Sequence, residues 1–360
     1  MDQKIRVASI FSGCGGSDLG ILGGFNFNRK RYGSLPFEIV FALDNDAKAI
    51  GTYNKNFQHK AVVADIVKYP ISNMPEFDLL LGGFPCQSFS TVNPTKDPFD
   101  DRAKLYKRMA RILQDKKPKF FIAENVKGLV VLKKGEIFRN VLQEFEKQGY
   151  KTYWHLVNAA DYGVPQRRVR VFIIGVREDL KNIYNFPNPV FSEYGVNGKK
   201  EWVGLRSVID SLDIAEKKYY FSEKAVRGMK NAKNNMKRGL AQDLNKPCLT
   251  VTSHLAKVSL NSRDPVLLVN PKKEIYRRFT PREAARIQSF PDNFIFEGSD
   301  ANAYHQIGNA IPPVVMWHIA KALSESTKKE TASGDHVFSE NEEKDSVTFK
   351  KQGIRIPSLI

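Results

Sequence analysis

The chain has only three cysteines, at positions 14, 86 and 248, so its fold does not depend on a disulfide framework. It contains no run of about 18 apolar residues, the length that a helix needs to span a bilayer, and no signal peptide. We therefore expect a cytoplasmic protein with reduced thiols and no membrane partner. The sequence also lacks internal repeats, so its 360 residues should form one large domain or two smaller ones.

Acidic residues are the minority among the charged side chains. Lysine and arginine number 56 against 39 aspartates and glutamates, which gives a formal net charge of +17. Such an excess favours a polyanionic partner, most often nucleic acid, although a basic enzyme without that partner would show the same balance. A membrane surface fits less well, because no basic amphipathic helix stands out.

Strand-like and helix-like segments alternate through the first half of the chain, which predicts an α/β fold with a mostly parallel sheet and crossover helices. The predicted strands are residues 5–10, 38–43, 61–63, 77–81, 119–123, 152–157 and 169–176. The predicted helices between them are residues 17–22, 46–57, 103–115 and 135–148. The sequence is then irregular from about residue 177 to 270, and helices are predicted again at 281–289 and 312–324.

These changes of pattern divide the chain into two domains and a tail. We expect residues 1–180 and 300–326 to form a large discontinuous domain, and residues 181–299 to form a smaller, irregular domain. Residues 327–360 are polar with mixed charge, which is typical of a disordered tail.

One cysteine stands in a setting that suits a nucleophile. Cys86 lies in the sequence Gly-Gly-Phe-Pro-Cys-Gln-Ser, directly after an apolar strand, where Pro85 stiffens the turn. A reactive thiolate is exposed at the end of a strand, whereas a structural cysteine is packed among apolar residues. The polar neighbours of Cys86 argue against a core position, so we predict that it is the nucleophile.

Glycines and an acid follow the first two strands in the pattern of a cofactor site. The sequence Phe-Ser-Gly-Cys-Gly-Gly at residues 11–16 connects the first strand to the first helix, and Asp44 ends the second strand. The glycines let the backbone approach a ligand closely, and an acid at that place accepts hydrogen bonds from ribose hydroxyls. The loop is not the Gly-x-Gly-x-x-Gly fingerprint, so the pattern predicts a nucleoside-containing cofactor without separating NAD from S-adenosylmethionine.

Two further polar clusters adjoin later strands and are predicted at the same edge of the sheet. Glu124 closes the fifth strand and offers a carboxyl group whose proton could serve in the site. In the sequence Gln-Arg-Arg-Val-Arg, alternation places Gln166, Arg168 and Arg170 on one face of a strand. Such side chains are costly to bury without polar partners, and cations beside a nucleophile suit phosphate and carbonyl-oxygen ligands.

The order of these blocks resembles the C5-cytosine DNA methyltransferase family. Phe-x-Gly-x-Gly-Gly, Pro-Cys-Gln, Glu-Asn-Val and Gln-x-Arg-x-Arg are followed by Arg-Phe-Thr-Pro-Arg-Glu at 278–283 and Gln-Ile-Gly-Asn at 306–309. The resemblance runs from about residue 7 to 313 and leaves out the middle segment and the tail. It implies a Rossmann-like S-adenosylmethionine-dependent methyltransferase sheet with a smaller target-recognition domain, of the type found in bacterial restriction-modification systems.

The resemblance also assigns residues to the cofactor, S-adenosylmethionine. Asp44 would bind the ribose, Asn45 would pack on the adenine, and Asp65 with Ile66 would contact the adenine edge. The full set of implied cofactor positions is Phe11, Gly13, Gly15, Gly16, Asp44, Asn45, Asp65, Ile66, Pro85, Leu105 and Asn309.

The reaction that the resemblance implies is methyl transfer to C5 of cytosine through a covalent intermediate. Addition of the Cys86 thiolate to C6 makes C5 nucleophilic. Glu124 would protonate or hydrogen-bond N3, and Arg168 would bind O2 with Arg170 in support. Because C6 is inaccessible within a duplex, the cytosine has to flip into the site.

Double-stranded DNA is the partner that follows from this reaction. The candidate DNA contacts are Gln87, Ser90, Gln166, Thr250 and Val251. Base contacts are expected from the recognition domain and phosphate contacts from its lysines and arginines. We expect Cys14 and Cys248 to be structural, and the chain to be a monomer that binds no metal. A cognate restriction endonuclease, acting separately, is the further partner that such a system would supply.

Two other functions are compatible with the same scaffold. A tRNA cytosine-5 methyltransferase shares it, but such relatives carry a Cys-Phe-Thr signature that this sequence lacks. A catalytically silent DNA-binding protein would keep the scaffold without its reactive groups, whereas every expected reactive position is present in this chain.

Overall fold

The computed structural model of the chain describes residues 4–84, 103–230, 241–257 and 264–332. The predicted nucleophile Cys86 and its neighbours Pro85, Gln87 and Ser90 lie outside these ranges. Most of the basic run at residues 229–238 also lies outside them.

The secondary structure of the described ranges follows the alternating pattern of the sequence. In chain order the strands are β1 (Ile5–Ile10), β2 (Phe25–Phe27), β3 (Lys30–Tyr32), β4 (Phe37–Asp44), β5 (Val62–Val63), β6 (Leu79–Gly82), β7 (Phe120–Val126), β8 (Tyr150–Asn158), β9 (Gln166–Arg167), β10 (Val169–Arg177), β11 (Phe191–Ser192), β12 (Lys200–Glu201), β13 (Cys248–Leu249), β14 (Leu267–Asn270) and β15 (Ile275–Arg277). The helices are α1 (Gly16–Leu22), α2 (Ala47–Asn56), α3 (Ala103–Lys116), α4 (Gly128–Val131), α5 (Glu136–Glu146), α6 (Glu223–Lys230), α7 (Pro281–Ile287), α8 (Asp300–Asn309) and α9 (Pro313–Ala332). Among these helices, none has the length and apolar character needed to cross a membrane.

Seven strands form one sheet in the order β5-β4-β1-β6-β7-β10-β8. The strands from β5 to β7 pair in parallel, whereas β10 is antiparallel to both β7 and β8. The predicted α/β fold with a mostly parallel sheet is therefore confirmed. Because β10 runs in the opposite direction, it begins at the edge where β7 ends, and Arg170 pairs with Val126 across the ladder.

Apolar side chains alternate between the two faces of the sheet and form a core on each. Val7, Leu79 and Ile122 lie on the face that packs against α1, α7 and α9. Ala8 and Leu80 lie on the opposite face, with residues of α3 and α5. Parallel strands buried on both faces require such continuous apolar runs, which explains why β1, β6 and β7 were predictable from the sequence.

The chain also forms elements that the sequence patterns did not predict. Strands β2 and β3 form a hairpin whose turn residues, Asn28 and Arg29, both have positive φ angles of 45° and 59°. Helix α8 begins at Ser299, whose hydroxyl accepts a hydrogen bond from Asn302 N. Helix α9 continues to Ala332, past residue 327 where the tail was predicted to begin.

Residues 281–297 contact elements of the large domain, although the predicted boundary assigned them to the smaller one. Ile295 N donates to Asn56 Oδ1 at 2.9 Å, and Glu297 N donates to Thr52 Oγ1 at 2.8 Å. Phe290 belongs to the same apolar core as residues of α1 and α9. These contacts place the end of the predicted recognition domain against α2.

A buried carboxyl group joins β1, α1 and α2. Asp18 is fully buried and accepts hydrogen bonds of 3.0 Å from the hydroxyl groups of Ser9, Ser17 and Tyr53. Burial disfavours the charged form and raises the pKa of Asp18 to about 6, although the three hydroxyl donors oppose this shift. The native protein therefore holds this proton more tightly than the unfolded chain does.

The raised pKa of Asp18 predicts a specific dependence of stability on pH. Stability from this group is present below its unfolded pKa of 3.8 and is lost as the pH rises through about 6. Relative to Asp18→Asn, the free energy of unfolding of the wild type should fall by about 2 kcal/mol between pH 4 and pH 7. Chemical denaturation at several pH values measures this difference.

The control for this prediction is Asp115→Asn, which changes an exposed aspartate at the end of α3. It should leave the pH profile of stability close to that of the wild type. A difference between Asp18→Asn and the wild type that does not vary with pH would contradict the prediction.

Candidate active site

A cavity of about 470 Å³ opens at the edge of the sheet where β1, β4, β6 and β7 end. Its walls come from the loops after these strands, the beginning of β10 and residues 305–311. The predicted site residues that line it are Phe11, Gly13, Gly16, Asp44, Asn45, Asp65, Ile66, Leu105, Glu124, Arg168, Arg170 and Asn309. The structure thus brings together residues from both ends of the sequence, and the volume is typical of a small-molecule site.

The glycine loop after β1 is fixed by its contacts with β4 and α2. Gly13 N donates to Asp44 Oδ2 at 2.9 Å, which ties the loop to the end of β4. Gly15 has a φ of 91°, and a Cβ added there would lie 2.3 Å from Cε2 of Phe57. A side chain at this position would therefore be strained and would clash. Gly15 does not itself line the cavity, so it contributes by shaping the loop.

Asp44 presents a carboxylate that is held by backbone groups on both sides. Its Oδ2 accepts from Gly13 N, and its Oδ1 accepts from Asp46 N at 2.9 Å. Burial raises the pKa of Asp44, while these two backbone donors oppose the shift. Because each carboxylate oxygen has two lone pairs, both can accept a further hydrogen bond from a ligand hydroxyl.

Three polar atoms of the cavity wall are buried and have no hydrogen-bond partner within the described ranges. They are Ser12 Oγ, Gln306 Oε1 and Arg168 Nε, and all three residues line the cavity. Buried polar atoms in native proteins are normally paired. These three atoms lie beneath the accessible surface of the wall, whereas Asp44, Asn45 and Asp65 line the cavity and carry polar groups that suit a nucleoside-containing ligand.

Glu124 and Arg170 form an ion pair on the same wall. Glu124 is the fifth residue of β7, and its Oε1 lies 3.2 Å from Nε of Arg170, with both side chains about 15 % exposed or less. Burial raises the pKa of Glu124, and the nearby charges of Arg170 and Arg168 partly offset this effect. A Cβ added at Gly83 would lie 3.4 Å from Glu124 Oε2, so the carboxyl group adjoins the residues that precede Cys86.

Arg168 has a different environment from Arg170. Its Nη1 donates to Val251 O at 3.0 Å, and its Nη2 donates to Gly308 O at 2.9 Å and Ala310 O at 3.1 Å. Both terminal nitrogens of Arg168 are thus bonded to the protein backbone. The arginine whose guanidinium lies against Glu124 is Arg170.

Asn125 holds the chain immediately before Cys86. Its Nδ2 donates to Phe84 O at 2.9 Å, and its Oδ1 accepts from Val126 N at 2.8 Å. The Asn125 side chain is 2 % exposed, so these bonds are protected from water. The end of β7 therefore positions the Glu124 carboxyl group and also fixes the backbone of Phe84, the last described residue before Cys86.

Two predicted DNA contacts are buried in the structure. Gln166 and Val251 are both 0 % exposed, and Gln166 Oε1 accepts from Val251 N at 2.9 Å. Each side chain is enclosed by protein, and that they contact DNA stays a prediction. Thr250 is partly exposed, and its Oγ1 donates to Arg167 O at 2.8 Å.

His305 is among the cavity residues that the sequence analysis did not name. His305 lines the cavity beside Asn309, with 3.3 Å between His305 Nε2 and Asn309 Nδ2. Its Nδ1 lies 3.8 Å from Asp46 Oδ2, so it connects α8 to the first turn of α2. Its position four residues before Asn309 would have identified it, had the helix been predicted.

The described cysteines are structural, and the described acids form no metal site. Cys14 and Cys248 are buried free thiols. Burial raises the pKa of Cys14 to about 12 and also raises that of Cys248. Within the described ranges, histidine, cysteine and acidic residues form no group of three or more that could hold a metal ion.

Comparison with known proteins assigns the chain to a family. Residues 5–325 match the family model of the C-5 cytosine-specific DNA methylases. The chain is 35% identical over 347 residues to the type II methyltransferase M.FnuDI of Fusobacterium nucleatum, covering 91% of this chain and 96% of that protein. It is 33% identical to the type II methyltransferase M.NgoPII of Neisseria gonorrhoeae, covering 91% and 97% of the two chains.

Solved structures agree with this assignment. A putative DNA modification methyltransferase encoded within an Escherichia coli prophage is 25% identical and covers 90% of this chain and all of its own, with a TM-score of 0.65. The Entamoeba histolytica methyltransferase EhMeth, at 20% identity and a TM-score of 0.69, shows the same fold. This chain has the sequence and fold of the C5-cytosine DNA methyltransferases of type II restriction-modification systems. It belongs to the C-5 cytosine-specific DNA methylase family.

Proposed function

We propose that this chain transfers the methyl group of S-adenosylmethionine to C5 of a cytosine flipped out of double-stranded DNA, with Cys86 as the covalent nucleophile. The observation that carries this proposal is the Glu124–Arg170 pair, which shares one cavity with the Asp44 carboxylate and the glycine loop. One ligand bound at Asp44 and another bound at Glu124 would thus meet in the same space.

The cavity wall fits S-adenosylmethionine through the groups that it presents. Asp44 would accept hydrogen bonds from the ribose hydroxyls with the two oxygens that Gly13 N and Asp46 N hold in place. Asn45, Asp65, Ile66, Leu105 and Asn309 would complete the pocket. When bound there, S-adenosylmethionine supplies an electrophilic methyl group on its sulfonium.

The first chemical step is carried by Cys86 and Glu124. The Cys86 thiolate forms a bond to C6 of the cytosine, and the ring electrons move towards C5 and N3. A proton from Glu124 to N3 neutralises the charge that develops there, which the raised pKa of this buried carboxyl group favours. The resulting C5 is enamine-like and would take the methyl group from the sulfonium. The carbon–sulfur bond breaks as the new carbon–carbon bond forms, its electrons go to sulfur, and S-adenosylhomocysteine is the leaving group.

The ring is then restored by loss of a proton. After C5 has gained the methyl group, the C5 proton leaves to a base, and the electrons of the C5–H bond form the C5–C6 double bond. This expels the Cys86 thiolate, and N3 returns its proton to Glu124. The enzyme ends the cycle in its starting state, as covalent catalysis requires.

The arginines share the remaining contacts with the base. Arg170 lies beside Glu124, so we assign it to O2 of the cytosine. Arg168 supports it by fixing the surrounding backbone, which reverses the roles expected from the sequence. Because C6 is buried in a stacked duplex, the cytosine has to leave the helix before Cys86 can reach it.

The direct test of this function is methylation in cells. The chain and its Cys86→Ala variant would be expressed in a bacterium that lacks cytosine methylation, and the DNA would be sequenced after bisulfite treatment. Protected cytosines should recur in one short sequence with the wild type and be absent with Cys86→Ala. The matched control, Cys248→Ala, changes a buried cysteine outside the cavity and should retain protection. Complete conversion with soluble wild-type protein would refute the proposal.

Glu124→Gln tests the proton donor. Glutamine keeps the shape of the side chain and can still contact N3, but it cannot transfer a proton, so kcat should fall by about 100- to 1,000-fold. The dissociation constant for S-adenosylhomocysteine should stay within about twofold, since Asp44 and the glycine loop are unchanged. Single-turnover kinetics and calorimetry measure the two quantities. Glu136→Gln, at an exposed position in α5, is the control, and an unchanged kcat in Glu124→Gln would exclude the proposed role.

Asp44→Asn tests the cofactor site. The amide nitrogen of asparagine would face either Gly13 N or Asp46 N, both of which are donors. One backbone donor would lose its acceptor, and the ribose would lose one as well, so the affinity for S-adenosylhomocysteine should fall about tenfold to 100-fold. Isothermal titration calorimetry measures this affinity without DNA. Equal affinity in variant and wild type would place the cofactor elsewhere.

A further inference from the structure

Two buried glutamines form a hydrogen-bonded pair beneath the active site. Gln166 and Gln288 are both 0 % exposed. Gln166 Nε2 donates to Gln288 Oε1 and, at 3.3 Å, to Ile287 O. None of the proposed chemical steps uses Gln288, and its complete burial calls for a structural explanation.

Gln288 holds one wall of the cavity. Its Nε2 donates to Ile307 O at 2.9 Å and to Ala310 O at 2.8 Å. These two carbonyl groups lie at the end of α8, where the last carbonyls of a helix lack partners within the helix. Residues 308–311 comprise the last two residues of α8 and the two residues after it, and all four line the cavity. The Gln288 amide thus stabilises the backbone of a segment that would contact the cofactor.

The same network binds the segment 250–253 of the predicted recognition domain. Val251 N donates to Gln166 Oε1 at 2.9 Å, and Val251 O accepts from Arg168 Nη1 at 3.0 Å. Gly308 provides direct backbone contact, because a Cβ added there would lie 2.2 Å from Ser253 N. The backbone of segment 250–253 therefore contacts this part of the protein in two places. It is hydrogen-bonded to Gln166 and closely packed against Gly308.

The wall is packed just as closely against the glycine loop. A Cβ added at Gly16 would lie 2.6 Å from Ile311 O and 3.1 Å from the Ala310 Cβ. Residues 308–311 are thus enclosed between the glycine loop on one side and segment 250–253 on the other. Because little free space remains between these segments, a change in the packing of residues 308–311 also changes the packing of the glycine loop and of segment 250–253.

We propose that Gln288 is a positioning residue that joins segment 250–253 to the cofactor wall, so that a ligand in the cavity stabilises the recognition segment. This inference rests on the proposed cofactor site, and it adds a residue and a route of coupling that the chemistry alone does not require. Gln166 is the intermediate contact between Gln288 and Val251.

The physical basis of this coupling is local unfolding. Segments of a native protein open with their own free energies, and a ligand that binds only the closed form raises the free energy of opening. If segment 250–253 can open only when wall 308–311 is disturbed, then a ligand on the wall also slows the opening of the segment. If the two open independently, the ligand has no effect on residues 250–253.

Amide hydrogen exchange with and without S-adenosylhomocysteine tests this inference in the absence of DNA. With ligand at about 100 times its dissociation constant, opening that is fully linked to binding slows by at most about a hundredfold. In the wild type we expect exchange at residues 250–253 to slow about tenfold or more, together with the glycine loop and residues 308–311.

Gln288→Met is the principal variant, because methionine has a similar volume but cannot hydrogen-bond to either carbonyl group. Exchange at residues 250–253 should then respond to ligand by less than about threefold, while the glycine loop should still be protected. Gln148→Met is the control. Gln148 lies two residues after α5 and donates a hydrogen bond to Glu144 O outside this network, so this variant should behave as the wild type does. A purely structural defect would raise exchange at residues 250–253 equally with and without ligand and would leave the response to ligand intact.

Gly308→Ala provides a second route if Gln288→Met does not fold. It keeps both glutamines but forces the wall and Ser253 apart, so it should also reduce the response of residues 250–253 to ligand. Full ligand protection of residues 250–253 in either variant would overturn the inference, as would wild-type protection that stops at residue 308. Absence of protection everywhere, including the glycine loop, would contradict the cofactor site and the inference with it.

Discussion

Strands β1, β4, β6 and β7 run in the same direction, so the loops that follow them leave the sheet at one edge. This constraint brings together a glycine loop, an acid and a glutamate that are far apart in the sequence. Because strand β10 is antiparallel, its first residues lie at this edge, and Arg170 pairs with Val126 near the end of β7. The position of Arg170 in the site thus depends on β10 being the one reversed strand among the seven described strands of this sheet.

The charges at this edge are maintained at some cost to stability. Glu124, Arg168 and Arg170 are all largely buried, and apolar residues of similar volume often stabilise a protein as well as a buried ion pair does. Arg168 offsets part of its desolvation through three backbone carbonyl groups. The pair of Glu124 and Arg170 lines the cavity, which is why we connect it with chemistry.

Much of the sheet and of the cavity was predictable, because continuous apolar strands and the loops after them carry strong local signals. Other features depend on tertiary contacts that the sequence does not display. Helix α8 has only a short apolar stripe, made of Ala303, Tyr304 and Ile307, because Gln306 and Gly308 also occupy buried positions. Alternation correctly grouped Gln166 with Arg168 on one face, but it could not show that this face is enclosed by residues 251, 288 and 308–310.

The attachment of segment 250–253 through backbone atoms has a consequence for recognition. Gln166 and Arg168 bond to the N–H and the carbonyl group of Val251, which any residue other than proline offers. The anchor therefore constrains the identity of very few side chains: Val251 has to be small enough for a closed core, and Gly308 has to lack a Cβ. Under the proposed function, the rest of the predicted recognition domain could change its base contacts without altering how segment 250–253 is joined to the cavity wall. A network that binds backbone rather than side chains would thus keep the geometry of the site constant while the DNA sequence that is read varies.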